Sequence, residues 1–160
     1  MNRSPVGPHL PLRASGEFLG HRWAYHGEIL GDSVRDWILM SGPNGESGGG
    51  SVGALPFADL GWRVLGPMAG IGWSHGGWSR RGFRKKYNPG YLSGVVSLAV
   101  AAVIVEFERQ SPAQAMLIDS GHPEYQFFFV PLSPQTLWTR IVALEANGSE
   151  CDRFARPPDH

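Results

Sequence analysis

The sequence has little cysteine and no long hydrophobic run. Cys151 is its only cysteine, so an internal disulfide is excluded. Its neighbours Glu150 and Asp152 disfavour a thiolate, which argues against a nucleophilic role for this residue. The longest apolar stretch, 92–105, has about 14 residues, whereas a membrane-spanning helix needs about 20. We therefore expect no membrane span.

An excess of charge of one sign is also absent, because 14 basic residues balance 14 acidic ones. The chain as a whole has no field that would draw it toward nucleic acid or an anionic membrane, so any such preference must be local. The beginning of the chain lacks the apolar stretch of a secretory signal. These features predict a soluble, cytoplasmic protein, and nothing in them implies a cofactor.

Lysine is scarce, whereas glycine and proline are abundant. Lys85 and Lys86 are the only lysines, which leaves 12 arginines among the 14 basic residues. The 22 glycines and 13 prolines bring the composition close to that of low-complexity sequences. Such a bias is typical of translated GC-rich DNA, so an open reading frame with no selected function is one hypothesis for this chain.

The N-terminal part, 1–51, has the weaker pattern of apolar residues. Its first 20 residues have no hydrophobic period, which predicts a mobile tail. Apolar side chains at helical spacing predict a helix over 28–40. These side chains are Leu30, Val34, Trp37 and Ile38. The Gly/Ser-rich segment 41–51 has the composition of a flexible linker and gives the best internal boundary.

The segment 52–150 is predicted to form a small domain, followed by a disordered tail over 151–160. Alternating apolar residues over 103–107 indicate a strand, and 113–118 and 125–130 indicate two more. Three successive strands predict an antiparallel meander within 95–131.

A helix is predicted over 134–146, because Ser133 is a possible cap and Asn147-Gly148 a possible end. The apolar face of this helix would consist of Leu137, Trp138, Ile141 and Leu144. Packing of that face on the meander gives an α+β fold.

A basic aromatic segment is the first candidate site. Its seven positions 80–86 hold five cations, and Tyr87 follows directly. Cations neutralise phosphates and aromatic rings stack on unpaired bases, so single-stranded nucleic acid is the natural ligand, with a protein partner as the alternative. The candidate binding residues are Arg80, Arg81, Phe83, Arg84, Lys85, Lys86 and Tyr87. A solvated basic loop without function also fits this pattern.

A second candidate site is the string Asp119-Ser120-Gly121, which follows the hydrophobic strand 115–118. This arrangement resembles the catalytic loop of retroviral-type aspartic peptidases. The resemblance implies that Asp119 is a catalytic carboxylate, which would share a proton with its counterpart across a dimer. Ordinary turn chemistry explains the same three residues.

Two further patterns predict no site. His21, His26 and Glu28 are close in sequence, but their spacing fits no helix or strand face that would hold a metal. The glycines of 42–53 lack the lysine and the strand-to-helix context of a phosphate-binding loop.

Three functional hypotheses therefore stand side by side. The first is a non-enzymatic binding module that uses the basic aromatic segment. The second is a hydrolase that uses Asp119, and the third is a chain with no selected function.

Overall fold

The computed structural model describes residues 9–42, 45–56, 68–74, 90–133 and 136–156. Within them the fold is all-β, with three four-stranded antiparallel sheets and no helix. Sheet A has the order β1-β2-β3-β4, with β1 at Leu12–Phe18, β2 at His21–Leu30, β3 at Ser33–Gly42 and β4 at Gly45–Pro56. Sheet B has the order β5-β6-β10-β9, with β5 at Met68–Ser74, β6 at Gly90–Ser97, β9 at Met116–Asp119 and β10 at Tyr125–Leu132. Sheet C has the order β12-β11-β7-β8, with β7 at Ala102–Phe107, β8 at Ala113–Gln114, β11 at Trp138–Leu144 and β12 at Glu150–Ala155.

Sheet B is the middle layer of the three. Phe127 and Phe129 of β10 belong to a buried cluster with sheet A, whereas Phe128 and Val130 belong to a second cluster with sheet C. Successive side chains of a strand point to opposite faces, so a strand between two layers is apolar at every position. This burial on both faces accounts for the unbroken run 127–130.

Aromatic contacts join sheet A to sheet B. The ring centroids of Trp23 and Phe129 are 4.5 Å apart, and those of Tyr25 and Phe127 are 5.0 Å apart. The ring of Phe127 lies so close to Gly27 that a Cβ at this glycine would be 2.9 Å from it. The absence of a side chain at Gly27 therefore lets the two layers approach.

The α+β prediction is wrong, since the described residues contain no helix and 138–144 form the strand β11. A register shift between Trp138 and Arg140 marks a bulge in the pairing with β7. Trp138 and Ile141 are consequently both buried although they are three residues apart. That spacing imitates a helical face, and it is the reason why 134–146 was predicted as a helix.

The helix predicted over 28–40 is also wrong, because this segment is a hairpin of β2 and β3. Gly31, with φ of 62°, begins the two-residue turn between Leu30 and Ser33. On β3 the buried face includes Val34, Ile38 and Met40, and Asp36 occupies the position between the first two. This carboxylate interrupts the apolar alternation and so hides the period of two.

The Gly/Ser-rich segment predicted as a linker lies mostly in β4, which pairs with β3 from Gly45 to Pro56. Aromatic side chains approach its glycines. A Cβ at Gly48 would lie 2.6 Å from Nε1 of Trp37, and one at Gly49 would lie 3.6 Å from the hydroxyl of Tyr91. The glycines thus serve as contact surface for rings, as glycine in a strand often does.

The division of the chain into 1–51, 52–150 and 151–160 stays a prediction, although β4 crosses residue 51 and β12 crosses residue 150.

The three-stranded meander predicted within 95–131 is wrong in its topology. The predicted strands at 103–107 and 125–130 correspond to β7 and β10, but these lie in different sheets. The segment 113–119 divides at Ala115, because β8 pairs with β7 and β9 pairs with β10. A single apolar stretch therefore belongs to two layers.

The described residues include no helix with the length and apolar character that a membrane crossing requires.

Candidate binding surface

The basic aromatic segment enters the fold at one end of sheet B. Residues 75–89 connect β5 to β6, and these strands are paired so that Ser74 lies opposite Tyr91. On the other side of β6, Gly90 lies opposite Leu132 of β10. All seven predicted binding residues, from Arg80 to Tyr87, lie outside the described residues. The strand pairs nevertheless establish that the connection containing this segment leaves sheet B after Ser74 and returns to it at Gly90.

A groove of about 480 Å³ lies at the same end of the molecule. One side follows the end of β7, and the other follows the end of β10 and the start of β11. The backbone N–H of Glu108 donates a hydrogen bond of 3.1 Å to the carbonyl of Leu137 and so joins the two sides. The groove is lined by Phe107, Glu108, Arg109, Gln110, Ser133, Thr136 and Leu137.

The lining of the groove combines apolar and polar groups. Phe107 is partly buried and packs against the core between sheets B and C, which holds its ring in place. Leu137 is 49% exposed and so presents apolar surface to the groove. Glu108 and Arg109 provide one charge of each sign, so the lining residues that the structure describes have no net formal charge.

Charge is divided unevenly between the basic segment and the rest of the chain. The segment holds five of the 14 basic residues and no acidic residue. The remainder therefore has nine basic residues against 14 acidic ones, a net formal charge of minus five. The formal charge of the segment, plus five, is therefore opposite in sign to that of the remainder.

Asp119 lies at the exposed end of β9 and acts on its own turn. Its Oδ1 accepts a hydrogen bond of 2.8 Å from the backbone N–H of Gly121. Ser120 is buried, and its hydroxyl donates a 2.6 Å bond to the carbonyl of Tyr125 and accepts a 3.2 Å bond from the N–H of His122. Side chains that bond backbone groups two residues away are typical of tight turns.

Gly121 and Arg13 complete the surroundings of this turn. Gly121 has φ of 76°, a conformation that favours glycine. The guanidinium of Arg13 lies 3.3 Å from the position that a Cβ of Gly121 would take. Nε of Arg13 donates a 2.8 Å bond to the carbonyl of Gly27, so this side chain connects sheet A to the turn.

Sequence patterns did not predict a polar contact between β2 and β3 on the face of sheet A that packs against sheet B. Tyr25 is fully buried, and its hydroxyl donates a hydrogen bond of 3.1 Å to Oδ2 of Asp36. Burial, and then the charge of Asp36, raise the pKa of the Tyr25 phenol well above its usual value. The contact satisfies two polar groups within an apolar layer.

The histidines considered as metal ligands bond to backbone instead. Nδ1 of His21 lies 3.1 Å from the carbonyl oxygen of Leu19, and Nδ1 of His26 lies 3.1 Å from that of Leu10. In the described part of the chain, no three His, Cys, Asp or Glu side chains are grouped so that they could hold a metal ion.

Comparison of the chain with protein-family models, with curated proteins and with solved structures gave no match. Sequence patterns do not predict the groove, because residues 133–137 fit the start of a helix. The one feature of the sequence that points to an irregular surface here is the breaker Gln110-Ser111-Pro112, which directly follows a strand.

Proposed function

We propose that the protein is a non-enzymatic binding module that binds single-stranded nucleic acid through the basic aromatic segment 80–87. The observation that carries the proposal is the concentration of cations and rings in one connection between two paired strands. Five cations and the rings of Phe83 and Tyr87 fall within eight residues of sequence. The strands that flank this connection, β5 and β6, are paired with each other, and β6 is also paired with β10.

Single-stranded nucleic acid supplies both kinds of group that the segment recognises. Phosphates interact with Arg and Lys, and their binding releases counterions. Unpaired bases stack on aromatic side chains, a contribution of about 1–3 kcal/mol per base. A duplex offers phosphates but keeps its bases stacked, so the aromatic residues favour single strands.

Fluorescence anisotropy with a labelled oligothymidylate tests this proposal. We expect binding whose logarithmic affinity falls linearly with the logarithm of salt concentration, with a slope of about −0.7 for each phosphate contacted. A duplex of the same length serves as the comparison ligand and should bind less tightly once its charge is taken into account. Affinity that stays flat from low to moderate salt would contradict the proposal.

Two double variants separate the segment from the general charge of the chain. Arg84→Gln/Lys85→Gln removes two cations of the segment, and Arg22→Gln/Arg153→Gln removes two exposed cations elsewhere. The first pair should weaken binding and reduce the salt slope, whereas the second should leave the slope unchanged. Equal losses in both would show that the segment has no special role.

The hydrolase hypothesis for Asp119 stays a prediction. The observed hydrogen bond does not favour it, since the carboxylate accepts a bond from the N–H of Gly121 within its own turn. Cleavage of an unfolded protein at acid pH, lost in Asp119→Asn, would support it.

A further inference from the structure

The groove of about 480 Å³ is a direct neighbour of the point at which the basic aromatic segment returns to sheet B. Leu132 of β10 pairs with Gly90, the first residue of β6, and Ser133 of the groove follows Leu132. Neighbouring strands are about 4.8 Å apart, so the groove begins close to Gly90. Tyr87, the last residue of the segment, precedes Gly90 by three residues in the sequence, so a bound strand can extend from the segment to the groove.

The groove suits an uncharged ring rather than a phosphate. Among its described lining residues, Glu108 and Arg109 cancel in formal charge, and the carboxylate of Glu108 disfavours an anion. The apolar surface comes from Phe107, which the core anchors, and from Leu137, which is 49% exposed. Flat, neutral heterocycles gain most from such a surface.

Polar side chains on the rim can select the edge of such a ring. Gln110 provides an amide donor and an acceptor, and Ser133 and Thr136 each provide a hydroxyl. Among the residues that the structure describes, no hydrogen bond engages these three side chains. The volume of the groove lies near the lower end for small-ligand sites, which is suitable for one base and its sugar.

We infer that this groove is a subsite for one nucleobase of the strand that the basic segment binds. The inference rests on the proposed function and deepens it. The cations of the segment hold phosphates and supply most of the salt dependence. The groove takes an adjacent base, with Phe107 and Leu137 against its face and Gln110, Ser133 and Thr136 at its edge.

Binding to two oligomers tests the inference with the intact chain. One is an oligothymidylate of about 12 nucleotides, and the other has the same phosphates but abasic sugars throughout. The test variant is Leu137→Ser. The matched control is Leu98→Ser, because Leu98 is 47% exposed and lies beyond the far end of β6, about 25 Å along that strand.

We expect Leu137→Ser to weaken binding of oligothymidylate about fivefold or more, with an unchanged salt slope, and to leave abasic binding unaltered. Leu98→Ser should bind both oligomers like the parent protein. If Leu137→Ser does not fold, Gln110→Ala and Thr136→Ala replace it, and their combination should reduce discrimination among the homopolymers of the four bases.

The outcomes distinguish this inference from the proposed function. Salt-dependent binding of oligothymidylate by the parent, with equal affinity of the Leu137 and Leu98 variants, would overturn the groove and leave the binding module intact. The groove would also be overturned if the parent bound the abasic oligomer as tightly as oligothymidylate and if Gln110→Ala and Thr136→Ala kept the parent's discrimination among bases. Absence of binding by the parent at low salt would overturn both.

Discussion

The hydroxyl of Tyr25 donates a hydrogen bond of 3.1 Å to Oδ2 of Asp36 within the layer between sheets A and B. Asp36 lies opposite Gly27 in the β2–β3 ladder, on the face of sheet A that Phe127 covers. A buried phenol without its acceptor would lose a charge-assisted bond, so this contact stabilises the β2–β3 pair on the face of sheet A that packs against sheet B.

The Tyr25–Asp36 contact predicts a loss of stability in alkaline solution. Burial raises the pKa of the phenol, so the native state holds its proton while an unfolded tyrosine ionises at about pH 10. The contribution of Tyr25 is therefore complete below about pH 10 and is lost as the pH rises above that value. Urea unfolding at a series of pH values measures the effect.

Tyr25→Phe is the variant that isolates this group. At neutral pH it should lower the free energy of unfolding by about 1.5–3 kcal/mol, because a carboxylate loses its donor. Above pH 10 its stability should decline less steeply than that of the parent. Asp36→Asn retains an acceptor and should cost less, and an alkaline decline of equal slope in the parent and Tyr25→Phe would contradict the assignment.

Two neighbouring glycines of β4 should respond differently to the same substitution. A Cβ at Gly48 would lie 2.6 Å from Nε1 of Trp37, so Gly48→Ala must displace the indole and should cost about 1–3 kcal/mol. At Gly49 the nearest atom among the described residues, the hydroxyl of Tyr91, is 3.6 Å away, which is ordinary contact. Gly49→Ala should be neutral or should stabilise by up to about 1 kcal/mol.

Urea midpoints of the two alanine variants, measured side by side, provide the test. Indistinguishable midpoints would mean that the indole of Trp37 does not lie over Gly48.

Asp119 should contribute to the stability of the protein through the hydrogen bond within its own turn. Asp119→Ala removes the acceptor for the N–H of Gly121 and should lower the free energy of unfolding by about 0.5–1.5 kcal/mol. Asp119→Asn keeps a side-chain oxygen that accepts the same bond and should stay near the parent in thermal unfolding. A large loss in Asp119→Asn would point to a role for the charge that the turn does not explain.

Several strands were predictable from local pattern alone. The alternation over 103–107 and the apolar run over 125–130 correspond to β7 and β10, because burial on one face or on both imposes those patterns directly. The candidate residue Asp119 was located at a strand end, where it is observed. The groove was not predicted, since it combines the end of β7 with residues that follow β10 and precede β11.

Composition and local pattern are enough to exclude an internal disulfide, to find the concentration of basic charge in one segment and to locate the most apolar strands. Long-range packing is needed to make 138–144 a strand and to pair the glycines of β4 in a sheet. The bulge beside Trp138 imitates a helical period, and the inward Asp36 hides a strand period. The rings over Gly48 and Gly49 come from other strands, so no local pattern could indicate that this glycine-rich segment is held in place.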